Sequence, residues 1–296
     1  MIYLILAVLC SASMAVALRL SEEYSSNKYA ILMGNYVTCT VVAFLMLPEK
    51  QIIPTAEFLM TASAGDPGLK AAMMTAMAAG VLNGIFFLGT LLLLQYSIGK
   101  NGAVLSSAFA KLGIMLPVAA SIFFLNERPT VLQTAGMALV VAAILVINLE
   151  KGKEGASAKM ALLVLFLFSG AGDGMSKVFE HIGERRFDAL FLFYTFLTAL
   201  ILCLIPMLRE VFQEKKRLKV VDFISGIFVG IPNYFSTSLL LAAVTRLPAY
   251  LAYPCFSVGT ILIVCFVSVL VLKDRMTKRQ IYGCGMILLA LVLLNL

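Results

Sequence analysis

Asn126-Glu127-Arg128-Pro129-Thr130 returns 147 positions later as Lys273-Asp274-Arg275-Met276-Thr277. An acid, an arginine and a threonine keep their spacing. The register also holds beyond them, with Gln133 on Gln280, Gly136 on Gly283 and Asn148 on Asn295. Further out, Gly80 and Gly84 meet Gly226 and Gly230 at a shift of 146, with Lys100 on Arg246. At a shift of 158, Ser11 meets Ser169, Arg19 meets Lys177 and Glu22 meets Glu180. The same shift puts Tyr36 on Tyr194, Thr40 on Thr198 and Pro48 on Pro206. Three aligned sets in one order read as an internal duplication. Residues 1–149 form the first unit and residues 150–296 the second.

Composition says what solvent the duplicated unit folds in. Hydrophobic residues make up 61% of the 296 and charged ones 13%, against roughly 45–50% and 25% in soluble domains. The 23 basic and 16 acidic side chains cannot cover that much apolar surface, so a soluble fold, disorder and a soluble coiled coil are excluded. The net charge of +7 sits in short caps between apolar runs. That pattern orients a membrane protein and does not point to nucleic acid.

Ten apolar runs occur, at about 2–19, 29–47, 71–96, 102–125, 130–149, 159–177, 187–208, 222–245, 249–272 and 279–296. About 20 apolar residues cross the hydrocarbon as a helix, and no ~10-residue alternating segments suggest a barrel. Backbone groups in lipid need internal partners. The expected fold is therefore an all-α integral membrane protein of ten transmembrane helices. With Leu9 before Cys10 and no small-residue cleavage site, the first run is expected to stay as a span. In the connector from Pro48 to Lys70, Phe58-Leu59-Met60 is expected on the membrane surface. Five helices per unit is an odd number, so the second unit starts on the opposite side of the membrane. The two units are expected to be inverted-topology repeats around a midplane site, the arrangement that alternating access uses.

Ionisable side chains inside spans are functional hypotheses by default. Lys111 is the deepest, about nine residues into the fourth run. It suits a cavity for an anionic or carboxylate-bearing solute, or else snorkels or pairs with an acid. Asp173 and Lys177 are four apart and share a helix face, where an i,i+4 ion pair is expected. Asp173 is also a cavity candidate. Among uncharged polar residues, Tyr36, Asn83, Ser107, Tyr194, Asn233, Tyr234 and Tyr253 are candidate cavity walls. Asn35, Thr90 and Ser257 belong to the same polar clusters. Asn233, Tyr234 and Tyr253 flank Pro232 and Pro254, where helix breaks are expected. Gly80-x-x-x-Gly84 and Gly226-x-x-x-Gly230 each put two glycines on one face for close helix packing.

Other chemistry finds little support. The six cysteines lie inside apolar runs without CxxC spacing and read as small core residues. His181 stands alone in a polar connector. No metal-binding cluster, Walker motif or cofactor signature is present, so no cofactor is expected. Gly170-Ala171-Gly172-Asp173 fits the short GxGD signature of intramembrane aspartyl proteases. That chemistry needs two neighbouring carboxylates, and the remaining candidates, Asp188 and Asp222, sit at helix starts.

The 5+5 duplication, the acidic-Arg turn at Glu127-Arg128, its echo at Asp274-Arg275, and the following Gln133/Gly136 and Gln280/Gly283 resemble the EamA-like branch of the drug/metabolite transporter superfamily. The resemblance implies a secondary transporter, not an enzyme, exporting an amino acid, a related metabolite or a drug through a central cavity between the repeats. One departure stands out. The small multidrug relatives carry a membrane glutamate eight residues before a lysine, and the matching positions here are Ser11 and Ser169. A carrier of a small polar metabolite is the leading expectation, with a hydrophobic drug carrier and a channel or lipid scramblase as alternatives. Expected partners are a small-molecule substrate and the bilayer, with room for a coupling ion and a homodimer. Connectors after odd-numbered helices hold 15 basic residues and those after even-numbered helices hold 7. By the positive-inside rule the chain is a multi-pass cell-membrane protein with both termini outside.

Overall fold

The computed structural model describes residues 1–24, 28–48, 67–101, 103–148, 156–212, 219–270 and 278–295. Their helices are α1 (Ile2–Tyr24), α2 (Lys28–Leu45), α3 (Pro67–Asn101) and α4, which is broken into Ala103–Leu112 and Met115–Phe124. Next come α5 (Val131–Asn148), α6 (Ala156–Ile182), α7 (Asp188–Phe212), α8 (Val220–Val244), α9 (Ala249–Leu270) and α10 (Lys278–Asn295). A short 3-10 turn, Arg185–Phe187, leads into α7.

Among the described residues five stretches are long and apolar enough to cross a membrane: Gly68–Leu94, Lys159–Ile182, Arg185–Arg209, Val220–Val244 and Ala249–Val267. Five shorter apolar helices accompany them: Ile2–Leu18, Tyr29–Leu45, Phe109–Phe124, Val131–Val146 and Ile281–Asn295. The chain is an all-helical, multi-pass membrane protein. Large apolar side chains such as Phe124, Ile205, Phe228 and Phe266 point outward, while Asn35, Asn83, Ser106 and Thr195 are buried.

The helices pack in a regular scheme. α1 and α2 both lie on α8, and α6 and α7 both lie on α3. α2 crosses α7, and α5 packs on α10. Glycines set the closest approaches. A methyl at Gly226 would meet the Ile31 carbonyl oxygen at 2.5 Å and the Gly34 Cα at 2.7 Å. At Gly80 it would meet the Phe191 carbonyl oxygen at 2.6 Å and the Tyr194 Cβ at 2.8 Å. One turn on, Gly230 faces Asn35 and Thr38, and Gly84 faces Thr195 and Thr198. α8 therefore rests on α2 as α3 rests on α7, with equivalent positions of α2 and α7 lying 160 apart. The sequence match of 158 is two residues out of this packing register. It followed shared Tyr and Thr identities, whereas the seam is set by backbone approaching backbone. The Cys39 thiol donates to the Gly230 carbonyl at 3.2 Å in the α2–α8 seam.

The break in the bundle does not fall where proline alone suggests. Pro206, Pro232 and Pro254 lie inside the continuous helices α7, α8 and α9. α4, read from sequence as one unbroken run, is interrupted at Gly113-Ile114. Pro117 has no N–H for the Gly113 carbonyl four residues back. The Leu116 N–H takes that carbonyl instead at 2.9 Å, and the Ile114 N–H reaches Lys111 O at 3.4 Å. Gly113 allows the break to press on α6, because a methyl there would meet Gly170 N at 2.7 Å. The Ala110 carbonyl keeps the Gly113 N–H at 3.3 Å and also accepts from the Ser169 hydroxyl at 2.7 Å.

Past α4, Asn126 takes a left-handed φ of 55°, a conformation Asn tolerates better than most residues. The chain reverses there, and the Glu127 N–H returns to Ser121 O at 3.2 Å. Thr130 then opens α5 with a reciprocal capping box. The Thr130 N–H bonds Gln133 Oε1 at 2.9 Å, and the Gln133 N–H bonds Thr130 Oγ1 at 3.2 Å. Gly136 lies against Leu293 and Leu294 of α10. The echo at Lys273–Thr277 and the Phe58-Leu59-Met60 patch lie outside the described residues.

Candidate functional site

The break in α4 leaves Lys111 in the last turn of a half-helix, where the carbonyl end of the helix dipole favours a cation. Its side chain is deep in the bundle, yet much of its surface is accessible because it borders an internal space. This compartment has a volume of about 270 Å³ and is lined by Leu94, Ala110, Lys111, Ile114, Ser169, Asp173, Phe256 and Ser257. Asp173 attracts Lys111 across it. Among the described residues neither charged group has a hydrogen bond or direct ion pair through its side chain. The Ser257 hydroxyl, 3% exposed, likewise lacks a partner.

Ser169 and Asp173 also line a second cavity of about 220 Å³, so the two spaces adjoin. Its walls are Met14 and Leu18 of α1, Leu32, Asn35 and Tyr36 of α2, and Phe87, Thr90 and Leu91 of α3. Ser169, Gly172 and Asp173 of α6 and Val229 and Asn233 of α8 complete it. The Asn233 amide donates to Asn35 Oδ1 at 3.0 Å, closing the α2–α8 wall with a polar clasp.

Lys111, Tyr36, Asp173 and Asn233 are thus brought around one central space. Tyr253 is fully buried beside it, and its hydroxyl donates to the Asp173 carbonyl oxygen at 2.8 Å. Asn83 lies between Gly80 and Gly84 in the α3–α7 seam, where its amide reaches Thr195 Oγ1 at 3.4 Å. Tyr194 packs on the Gly80 backbone in the same seam. Tyr234 is buried against the rings of Phe196 and Phe235. Ser107 is on α4, but its side chain lies outside the described residues. Ser169 and Ser257 are one helical turn from Asp173 and Tyr253 respectively. That i,i+4 spacing was the available signal that these hydroxyls join the site.

The expected Asp173–Lys177 pair does not form. Lys177 Nζ lies 3.2 Å from Glu127 Oε1 and 3.1 Å from Glu180 Oε2. Glu127 also accepts from the Ala249 N–H at 2.8 Å and from the Ser121 hydroxyl at 3.0 Å. Its carboxylate stands at the N-terminus of α9, where negative charge is favoured. Asp222, one of the acids weighed for a protease pair, accepts from the Lys219 N–H in the capping box of α8. Asp188, the other, begins α7.

Residues 158–296, spanning α6 to α10, match the model of the EamA-like transporter family. The second half of the chain is similar to that family. This agrees with the drug/metabolite transporter superfamily and suggests a membrane transporter of the drug/metabolite type. The matched residues supply Ser169, Asp173, Asn233 and Ser257 to the central space, and the preceding half supplies Lys111 and Tyr36. No curated protein matches the sequence. A solved crystal structure superposes with a TM-score of 0.69 at 13% identity, covering 100% of this chain and 97% of its own. That likeness is one of fold.

Proposed function

We propose that the chain is a secondary transporter of a small polar metabolite bearing a carboxylate, working by alternating access between two inverted five-helix repeats. The observation that carries this reading is the compartment where Lys111, Asp173 and Ser257 converge without mutual hydrogen bonds. Unpaired charges inside a membrane protein are costly, and a solute carboxylate would satisfy the Lys111 ammonium and the Ser257 hydroxyl together. The matched glycine seams, α3 on α7 and α8 on α2, support two related halves that move against each other. The substrate passes between the halves without a resident cofactor, and the site is a binding site rather than a catalytic one. The second cavity, lined largely by apolar and aromatic residues, accommodates the rest of the solute.

A second reading has its own support. Phe86, Leu116, Pro117, Ala120, Gly170, Ala171 and Gly174 line an apolar groove of about 500 Å³ on the other side of α6. Such a groove suits a hydrophobic drug or a lipid chain. Comparison of metabolites in medium and cytosol, for cells overexpressing the protein or its Lys111→Ala variant, separates the two. The metabolite reading expects a carboxylate whose distribution changes with the parent chain and not with the variant. A hydrophobic amine redistributed equally by both proteins would favour the second reading.

A further inference from the structure

Polar side chains link α6 to α9 at one-turn intervals. Asp173 and Lys177 are successive on one face of α6, and Ala249, Tyr253 and Ser257 are successive on α9. At the innermost level, the Asp173 side chain and Ser257 border the compartment. One turn out, the Tyr253 hydroxyl bonds the Asp173 carbonyl at 2.8 Å. At the rim, Glu127 holds Lys177 with one carboxylate oxygen and the Ala249 N–H with the other.

This rim lies at the end of the bundle where the N-terminus and the described even-numbered connectors gather. Arg185 donates to the Thr245 carbonyl there at 2.8 Å, and the Arg246 guanidinium stacks 4.4 Å from the Tyr3 ring centroid. The second cavity, of about 220 Å³, lies toward the opposite end. Its walls include the closing turns of α1 at Met14 and Leu18, the opening turns of α2, and the second half of α3.

We propose that Glu127 is the gating residue of the terminus-side end. It ties the α4–α5 turn to α6 and to the start of α9, and the cavity opens on that side only after this tie is released. The inference rests on the alternating-access reading above. Its chemistry suits a latch better than a structural brace. A largely buried ion pair adds little net stability over apolar packing, and its best-attested use is in registration and switching. The side chains of Lys177, Glu127 and Glu180 are only 9%, 14% and 20% exposed. Glu180 belongs to the same helix as Lys177, so the ammonium keeps a partner when Glu127 leaves. Glu127 then moves with its turn toward water. Asp173, one turn from Lys177, places a solute-facing charge on the helix face that the latch grips.

The test uses the full chain in vesicles, with its six native cysteines replaced and Thr90→Cys in the cavity wall as reporter. A membrane-impermeant thiol reagent is applied to each face separately. In this parent the reporter is expected to react slowly from the face bearing the termini. Glu127→Gln removes the charge with little change of shape. It should raise that rate about tenfold, the effect of losing ~1.4 kcal/mol of a charge-assisted contact. Tyr253→Phe removes the middle contact without touching any charge and should raise the rate by a smaller factor. Unchanged rates in both variants, with the parent still reacting asymmetrically, would overturn the latch and leave the carrier reading intact. Equal fast reaction of the parent from both faces would sink both readings, since it describes a continuous pore. If Glu127→Gln does not fold, the Tyr253→Phe rate decides alone.

Discussion

Lys177 Nζ lies 3.2 Å from Glu127 Oε1, a contact that joins α6 to the turn between α4 and α5. Asp173, one turn earlier on the same face of α6, is left to line the central compartment with Lys111. Two charges that sequence spacing would pair with each other are therefore divided between a rim and an internal compartment.

Lys111→Ala removes the cation from the compartment while leaving the α4 backbone in place. Transport by reconstituted protein should fall by roughly ten- to a hundredfold, the range for losing a charged hydrogen bond of about 1.5–3 kcal/mol. Lys111→Arg should keep part of the activity, reduced because a planar guanidinium does not replace an ammonium in a fitted site. Initial uptake rates, with monodisperse size-exclusion profiles as the folding control, check this. Full transport by the Ala variant would assign Lys111 to structure.

Gly226→Ala should destabilise the fold, because the new methyl would meet the Ile31 carbonyl oxygen at 2.5 Å and Gly34 Cα at 2.7 Å. Overpacking of this kind costs about 1–3 kcal/mol. Gly285→Ala on α10 is the matched control, since a methyl there meets nothing within 4 Å. Thermal unfolding in detergent should show a lower midpoint for the first and an unchanged or slightly raised one for the second.

Thr130→Ala breaks the capping box that starts α5. The expected loss is about 1 kcal/mol of stability, seen as a lowered unfolding midpoint. Substrate affinity should be unchanged, because Thr130 and Gln133 bond each other at the start of α5. A large rise in KM with unaltered stability would mean that the motif contributes to binding.

By the positive-inside rule the odd-numbered connectors, with their excess of basic residues, are expected in the cytoplasm. Lys219→Cys, just before α8, should then resist an impermeant thiol reagent on intact cells and react after permeabilisation, in a background free of native cysteines. Labelling of intact cells would put both termini inside instead.

Much of this protein was determined by its sequence. Apolar runs of membrane-crossing length dictate helices, because lipid offers backbone groups no other partner. For the first acidic-Arg turn, its Gln and its Gly, the structure gives the reasons: Gln133 caps α5, Gly136 admits α10, and Glu127 caps α9. Lys111 and Asp173 were legible as costly charges in spans. Three things depended on the tertiary structure. The break in α4 came from Pro117 acting on Gly113 where α6 presses close, whereas Pro206, Pro232 and Pro254 lie within continuous helices. The register of α2 against α7 came from backbone contact at glycines, to which residue identity is a poor guide. Lys177 takes Glu180, three residues along its own helix, and Glu127, 50 residues back on another element. Helical spacing ranks neighbours along one helix, but an acid brought in from another element is decided only by the packed bundle.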